Sequence, residues 1–182
     1  VITKVNLPDS TPPLYRADAR PPQLIEKISF EEVMAVNCAS KLALLLSLKE
    51  GSNRAIAEGL FCNTPAIVLK NHVGGIVENI NAQTGRLVHE ADLADEIEDM
   101  LKSLASYQPR KWALENISCF VSTQRLNAAL KANAIAQGNN WTKDIEVRTN
   151  SPELRYYDSK VQTAYIAQNE KLSEYLKTSF FR

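Results

Sequence analysis

The sequence predicts an α/β fold: a partial parallel sheet followed by a helical tail. Three observations predict it. Residues 42–48 and 66–69 are short apolar runs without polar alternation, the pattern of strands covered on both faces. The residues between them turn at Gly51, open a helix and close at Asn63, Thr64 and Pro65, which gives the strand–turn–helix–strand layout of a βαβ phosphate-binding unit. Beyond residue 105 the apolar residues recur at helical spacing only.

Taken in order, residues 1–7 alternate through Ile2, Val5 and Leu7 and are expected to form a strand. The proline-rich residues 8–22 are expected to form a loop, and 23–28 a short strand. Ser29 followed by Glu32 is a capping box, so a helix is expected over 30–39. The strand 42–48 follows. Ser52 or Asn53 then caps the helix after Gly51. After the strand 66–69, Lys70 to Gly75 forms a loop at its carboxyl end, the side on which open α/β sheets bind ligands. Gly74 and Gly75 there either let backbone approach a ligand or start a short helix. His72 in the same loop reads as a loop residue with no partner visible in the sequence. A strand is expected over 86–88 and an amphipathic helix over 91–103. That helix turns Leu93, Ile97, Met100 and Leu101 inward and five acids outward as a solvated face.

The tail carries three further helices. Pro109 suits the first turn of a helix to Ser118, with Trp112, Leu114 and Ile117 inward. Ser122 or Thr123 caps a helix to Gln137, ended by Gly138. Residues 139–145 are an irregular connector anchored by Trp141, and Pro152 opens a last helix over 153–177. Two parts are therefore expected: an α/β domain over 1–105 and a helical extension over 106–182.

Composition narrows the class of function. With 45% hydrophobic and 23% charged residues, the 182-residue chain has the make-up of a soluble globular protein. Its net charge is zero, so nothing global points to nucleic acid. Residues 1–105 carry 10 Lys/Arg against 14 Asp/Glu, and 106–182 carry 11 against 7. This asymmetry reads as two solvated surfaces, or as a tail that makes peripheral contact with an anionic membrane. Cys38, Cys62 and Cys119 show no C-x-x-C spacing and are expected to be buried free thiols of a cytoplasmic protein. No apolar run approaches membrane-spanning length, and no leader peptide is seen. The chain begins with Val1, so an upstream part is expected to exist. The patterns of dinucleotide binders, P-loop proteins, esterases and zinc proteases are absent from the sequence.

The chemistry concentrates around Glu50 and Glu58. Glu50 flanks the start of the helix after Gly51, and Glu58 lies within it, roughly 7–8 Å along the axis. The free N–H groups of the first turn make an anion site between them. A nucleotide-sugar fits that offset: sugar at Glu50, phosphates at the helix end, ribose hydroxyls at Glu58. The competing reading makes Glu50 an ordinary loop charge and pairs Glu58 with Arg54, four residues before it. The near-continuous apolar character of this helix predicts that it is buried, and a buried carboxylate needs a partner.

Glu50 and Glu58 match the E-x7-E signature of retaining glycosyltransferases with the GT-B fold, the large group 1 or family 4 type. Ser47-Leu-Lys-Glu-Gly resembles that family's S-x-x-E-G strand end. Ala57-Glu-Gly-Leu-Phe-Cys-Asn-Thr-Pro-Ala-Ile-Val resembles its E-A-x-A-x-G-x-P-V-I run. Val73-Gly-Gly-Ile-Val-Glu-Asn-Ile and Thr84-Gly-Arg-Leu-Val resemble its V-G-G-I-x-E-x-I and T-G-x-L-V pair. The similarity spans about residues 28–104. One departure is Ser52-Asn53, where the family usually has Phe-Gly or Phe-Pro, and it bears on donor-sugar preference.

The resemblance implies a Rossmann-like nucleotide-sugar-binding domain of a GT-B enzyme. Such an enzyme transfers a sugar from a nucleotide donor to a sugar, lipid or small-molecule acceptor with retention, usually without a metal or other cofactor. Glu50 would be the catalytic carboxylate at the donor sugar. Gly51, Ser52, Asn53 and Arg54 would lie along sugar and phosphate, Glu58 would hold the ribose, and Gly74 and Gly75 would form a donor-side loop. The family's upstream basic pair and acceptor domain find no match here, so the isolated chain is expected to show no turnover. The rival expectations are a non-catalytic module of the same fold and a helical interaction protein.

Overall fold

The computed structural model of the chain describes residues 28–149 and 155–180. The strand expected over 1–7, the loop over 8–22 and most of the strand over 23–28 lie outside these residues. The chain divides into two compact units, Val1–Lys111 and Trp112–Arg182.

The first unit is mixed α/β. Helix α1 (Phe30–Ala39) begins at Ser29 with the expected capping box: the Glu32 amide donates to Ser29 Oγ at 3.2 Å, and the Ser29 amide to Glu32 Oε2 at 2.7 Å. Strand β1 (Ala43–Leu45), helix α2 (Arg54–Phe61) and strand β2 (Ala66–Leu69) form a βαβ order of elements, followed by strand β3 (Gly85–Val88) and helix α3 (Leu93–Lys102). The three strands are parallel in the order β1-β2-β3, with Ala43, Ala66 and Gly85 in register. All four β2 residues are buried, as a central parallel strand requires.

The core on one sheet face joins Ile67, Leu69 and Val88 to Met100 and Tyr107, with Leu93 and Ile97 of α3 packed against them. The expected burial of 42–48 on both faces is not observed. β1 keeps three residues, and Leu44 and Leu46 are 46% and 49% exposed. The physical reason is position. β1 is the outer of the three described strands, and Leu44, in register with Ile67, projects from the α3 face beyond the core cluster.

The acids of α3 do more than face solvent. Arg86 of β3 donates to Glu96 at 2.6 Å, to Asp99 at 2.7 Å and, through Nε, to Tyr107 Oη at 2.8 Å. Glu96 first and Asp99 next hold the guanidinium further above its ordinary pKa. Arg86→Met leaves two carboxylates side by side without their cation. The side chain is a third exposed, so screening trims the effect, and urea unfolding is expected to show a loss of about 1–2 kcal/mol that shrinks in high salt.

Three expectations for the tail are corrected. Helix α4 (Pro109–Asn116) starts at Pro109 as expected, but its fully buried residues are Pro109 and Ala113, and Leu114 is half-exposed. Helix α5 (Cys119–Ala136) is capped by Ser118, whose Oγ accepts from the Val121 amide at 3.3 Å, so Ser122 and Thr123 lie inside it. Gly138, with φ of 74°, follows its end as expected. Residues 155–158 are not helical: Tyr156 pairs antiparallel with Arg148. Helix α6 (Ser159–Phe180) instead begins after Asp158, whose carboxylate accepts from the Lys160 amide at 2.7 Å and stands at the cap position. Among the described residues, no helix is long and apolar enough to cross a membrane.

The cysteines also differ from expectation. Cys38 is exposed, and Cys62 and Cys119 are half-buried. Helices α1 and α5 bury no residue fully, so thiols along them keep contact with solvent.

Candidate functional site

The chain leaving β1 and the chain leaving β2 stay paired beyond the strand ends. The Val73 amide donates to Leu48 O at 2.9 Å, the Glu50 amide to Val73 O at 3.1 Å, and the Gly75 amide to Gly51 O at 3.0 Å. These two loops form one platform at the carboxyl end of the sheet, where open α/β sheets place their ligands. Gly74 is required by space. A Cβ there would stand 2.5 Å from Glu50 O and 2.6 Å from His72 Nε2. Its φ of 169° is ordinary extended backbone, so no conformational strain is involved. Gly75 opens the short 3-10 turn Gly75–Asn79. Gly51 has open space around its Cα and no positive φ, so the turn itself does not demand glycine.

Glu50 is exposed on this platform, yet its carboxylate is fixed. Ser47 Oγ donates to Oε1 at 2.6 Å and Asn53 Nδ2 donates to Oε2 at 2.5 Å. Asn53 also caps α2, accepting from the Ile56 amide at 2.8 Å. A chain of residues three apart, Ser47, Glu50, Asn53 and Ile56, thus couples the end of β1 to the start of α2. The Ser47 hydrogen bond first, then that of Asn53, holds the Glu50 carboxyl below its ordinary pKa. Because the folded-state pKa is lowered, the stabilisation from ionised Glu50 is present above the unfolded value and lost as pH falls through the lowered one. Protection of the Gly75 amide against hydrogen exchange is therefore expected to persist in mildly acidic solution and to fall only below the ordinary carboxyl range.

His72 holds the platform from beneath. It is buried, and its Nδ1 lies 2.7 Å from Ser47 O. In the neutral ring that contact requires the proton on Nδ1, which leaves Nε2 as a buried acceptor without a partner beside Gly74. The imidazole ties the β2 loop to the residue that also orients Glu50. From the sequence alone it is an ordinary loop residue. Its only signal was its place at the end of a strand adjacent to the S-x-x-E-G segment.

The remaining site residues fall along α2. Ser52 and Arg54 are exposed. Among the described residues no ion pair joins Arg54 to Glu58, which removes the surface-pair reading of Glu58. The burial expected for this helix is confined to one face, Ile56, Gly59 and Leu60. Glu58 lies off that face and is half-buried, so the argument that it must have an internal partner does not apply. Its carbonyl accepts from the Cys62 amide at 3.1 Å at the C-terminal end of α2. Glu50 and Glu58 therefore stand at opposite ends of the helix, joined by its length.

Scanned against models of known protein families the chain matches none, and no curated protein matches it either.

Proposed function

We propose that this chain carries the nucleotide-sugar-binding part of a retaining glycosyltransferase of the GT-B type. The observation that carries the proposal is the fixed Glu50 carboxylate on two interlocked loops, at the start of a helix and at the carboxyl end of parallel strands. Each carboxylate oxygen has two acceptor sites, so the bonds from Ser47 and Asn53 leave room for sugar hydroxyls. Asn53 takes the Ile56 amide, and the amides of Arg54 and Ala55 remain for the donor phosphates. Arg54 favours the same reading: a cation in the first turn opposes the helix dipole, and an anion bound there would offset that cost. On this reading Glu58, about 7.5 Å along the axis from Asn53, takes the ribose hydroxyls.

Calorimetric titration of the full chain with uridine, guanosine and adenosine diphosphates and their sugar conjugates tests this. One nucleotide is expected to bind. Glu58→Ala should weaken both the diphosphate and its conjugate about tenfold, or about 1.4 kcal/mol. Glu50→Gln should weaken only the sugar conjugate. Absence of binding across the panel, or equal loss of free diphosphate in Glu50→Gln, would contradict the assignment.

A second reading, a helical interaction protein, is favoured by one feature of the tail. Helix α5 exposes Leu126, Leu130 and Ile135, and α6 exposes Ile166, Leu172 and Leu176. Replacing Leu172 and Leu176 by Asp should abolish partner capture on that reading and leave nucleotide titrations unchanged on the first.

A further inference from the structure

Two thiols meet where α1 and α2 end. Cys38 lies one turn beyond Met34 on α1, so the two residues share a face of that helix. Cys62 follows α2, and its Sγ lies 3.7 Å from Met34 O, against that same face. A second tether keeps the segments in this register, because Thr64 Oγ1 donates to Asn37 O at 2.6 Å. Cys38 is exposed and Cys62 half-buried, so a small reagent reaches the first and then finds the second beside it. Cys119 belongs to the other unit.

We propose that Cys38 and Cys62 are one redox pair, which a small-molecule disulfide such as oxidised glutathione converts into an intramolecular disulfide stapling α1 to α2. The Cys38 thiolate attacks one sulfur of the reagent; its S–S bond breaks and one thiolate leaves with the electron pair. Cys62 gives its proton to solvent and attacks the Cys38 sulfur, which expels the second thiolate. In total the protein gives up two protons and two electrons, and the reagent becomes two thiols. The two cysteines have different parts. Burial first, and the Cys38 thiol next, push the Cys62 thiol up to about 11; Arg110, which donates to Phe61 O at 2.8 Å, works against them, and Glu58 adds a smaller push upward. Ring closure is then the slower step, and its rate rises about tenfold per pH unit as the thiolate fraction of Cys62 grows.

The test treats the full chain with excess oxidised glutathione, blocks free thiols by alkylation at intervals, and maps the peptides by mass spectrometry. A glutathione adduct on Cys38 is expected first. It should convert to a Cys38–Cys62 bond roughly a hundredfold faster at pH 9 than at pH 7, with Cys119 left free. The oxidised chain should melt about 5 °C or more higher, since the bond closes a loop that the unfolded chain would otherwise leave open. Cys62→Ser should trap the adduct on Cys38, and Cys38→Ser should leave Cys62 unmodified. An adduct on Cys38 that persists at pH 9, a Cys38 that acquires none, or a bond to Cys119 would overturn the proposal.

Discussion

Gly85→Ala is expected to destabilise the first unit by about 3 kcal/mol or more, enough to unfold a marginal domain. Gly85 opens β3 in register with Ala66, and an added Cβ would drive into the carbonyl and amide of Ala66. Its φ of +155° adds a conformation that side chains disfavour. Ala66 belongs to the fully buried central strand, so it cannot retreat without separating β2 from β3 and breaking the 2.9 Å bond from its amide to Thr84 O. Gly51→Ala is the matched control. Nothing stands within 4 Å of a Cβ there, so its unfolding midpoint in urea should move by less than about 0.5 kcal/mol. Equal midpoints for the two variants would show that the β2–β3 contact is looser than described.

Gly74→Ala is expected to remove ligand binding while sparing most of the fold. Its new methyl would collide with Glu50 O and His72 Nε2, and the first of these is the backbone of the residue assigned to the donor sugar. The β1 and β2 loops must part, and with them the bonds from Glu50 to Val73 and from Gly75 to Gly51. Affinity for the nucleotide-sugar should fall at least a hundredfold, about 2.7 kcal/mol, because Glu50 loses its position against the α2 amides. The hydrophobic core lies on Ile67, Leu69, Met100 and their neighbours, away from these loops, so the melting temperature should fall by only a few degrees. Unchanged affinity in a folded Gly74→Ala chain would place the ligand elsewhere.

Much of the first unit was legible because its signals are local. The Ser29–Glu32 capping box and the buried run of β2 depend on residues within four of one another, and the cap of α2 was narrowed to Ser52 or Asn53, of which Asn53 takes it. The features that were misread depend on distant partners. An apolar run such as 42–48 reads alike in a central strand and at an edge, and only the third dimension shows that Leu44 lacks a cover. In the tail, several hydroxyls compete for one cap, and the earliest, Ser118, takes it. Pro152 is a plausible helix start, but the antiparallel pairing of Arg148 with Tyr156 delays the helix until Asp158 can cap it. At the candidate site, the Glu50 and Gly74 positions were visible in the motif spacing. The bonds of His72 to Ser47 and of Arg86 to α3 were not, because the first links residues that the pairing of parallel strands brings together and the second links a strand to the helix packed on it.

Titration of isotopically labelled chain with the best-binding nucleotide-sugar, followed by amide chemical shifts, tests the central assignment most directly. The largest changes are expected on Gly51, Arg54, Ala55, Gly74 and Gly75, and the Glu50 and Glu58 side-chain carboxyl resonances should move with them. Shifts confined to α5 and α6, with the platform unmoved, would contradict the assignment.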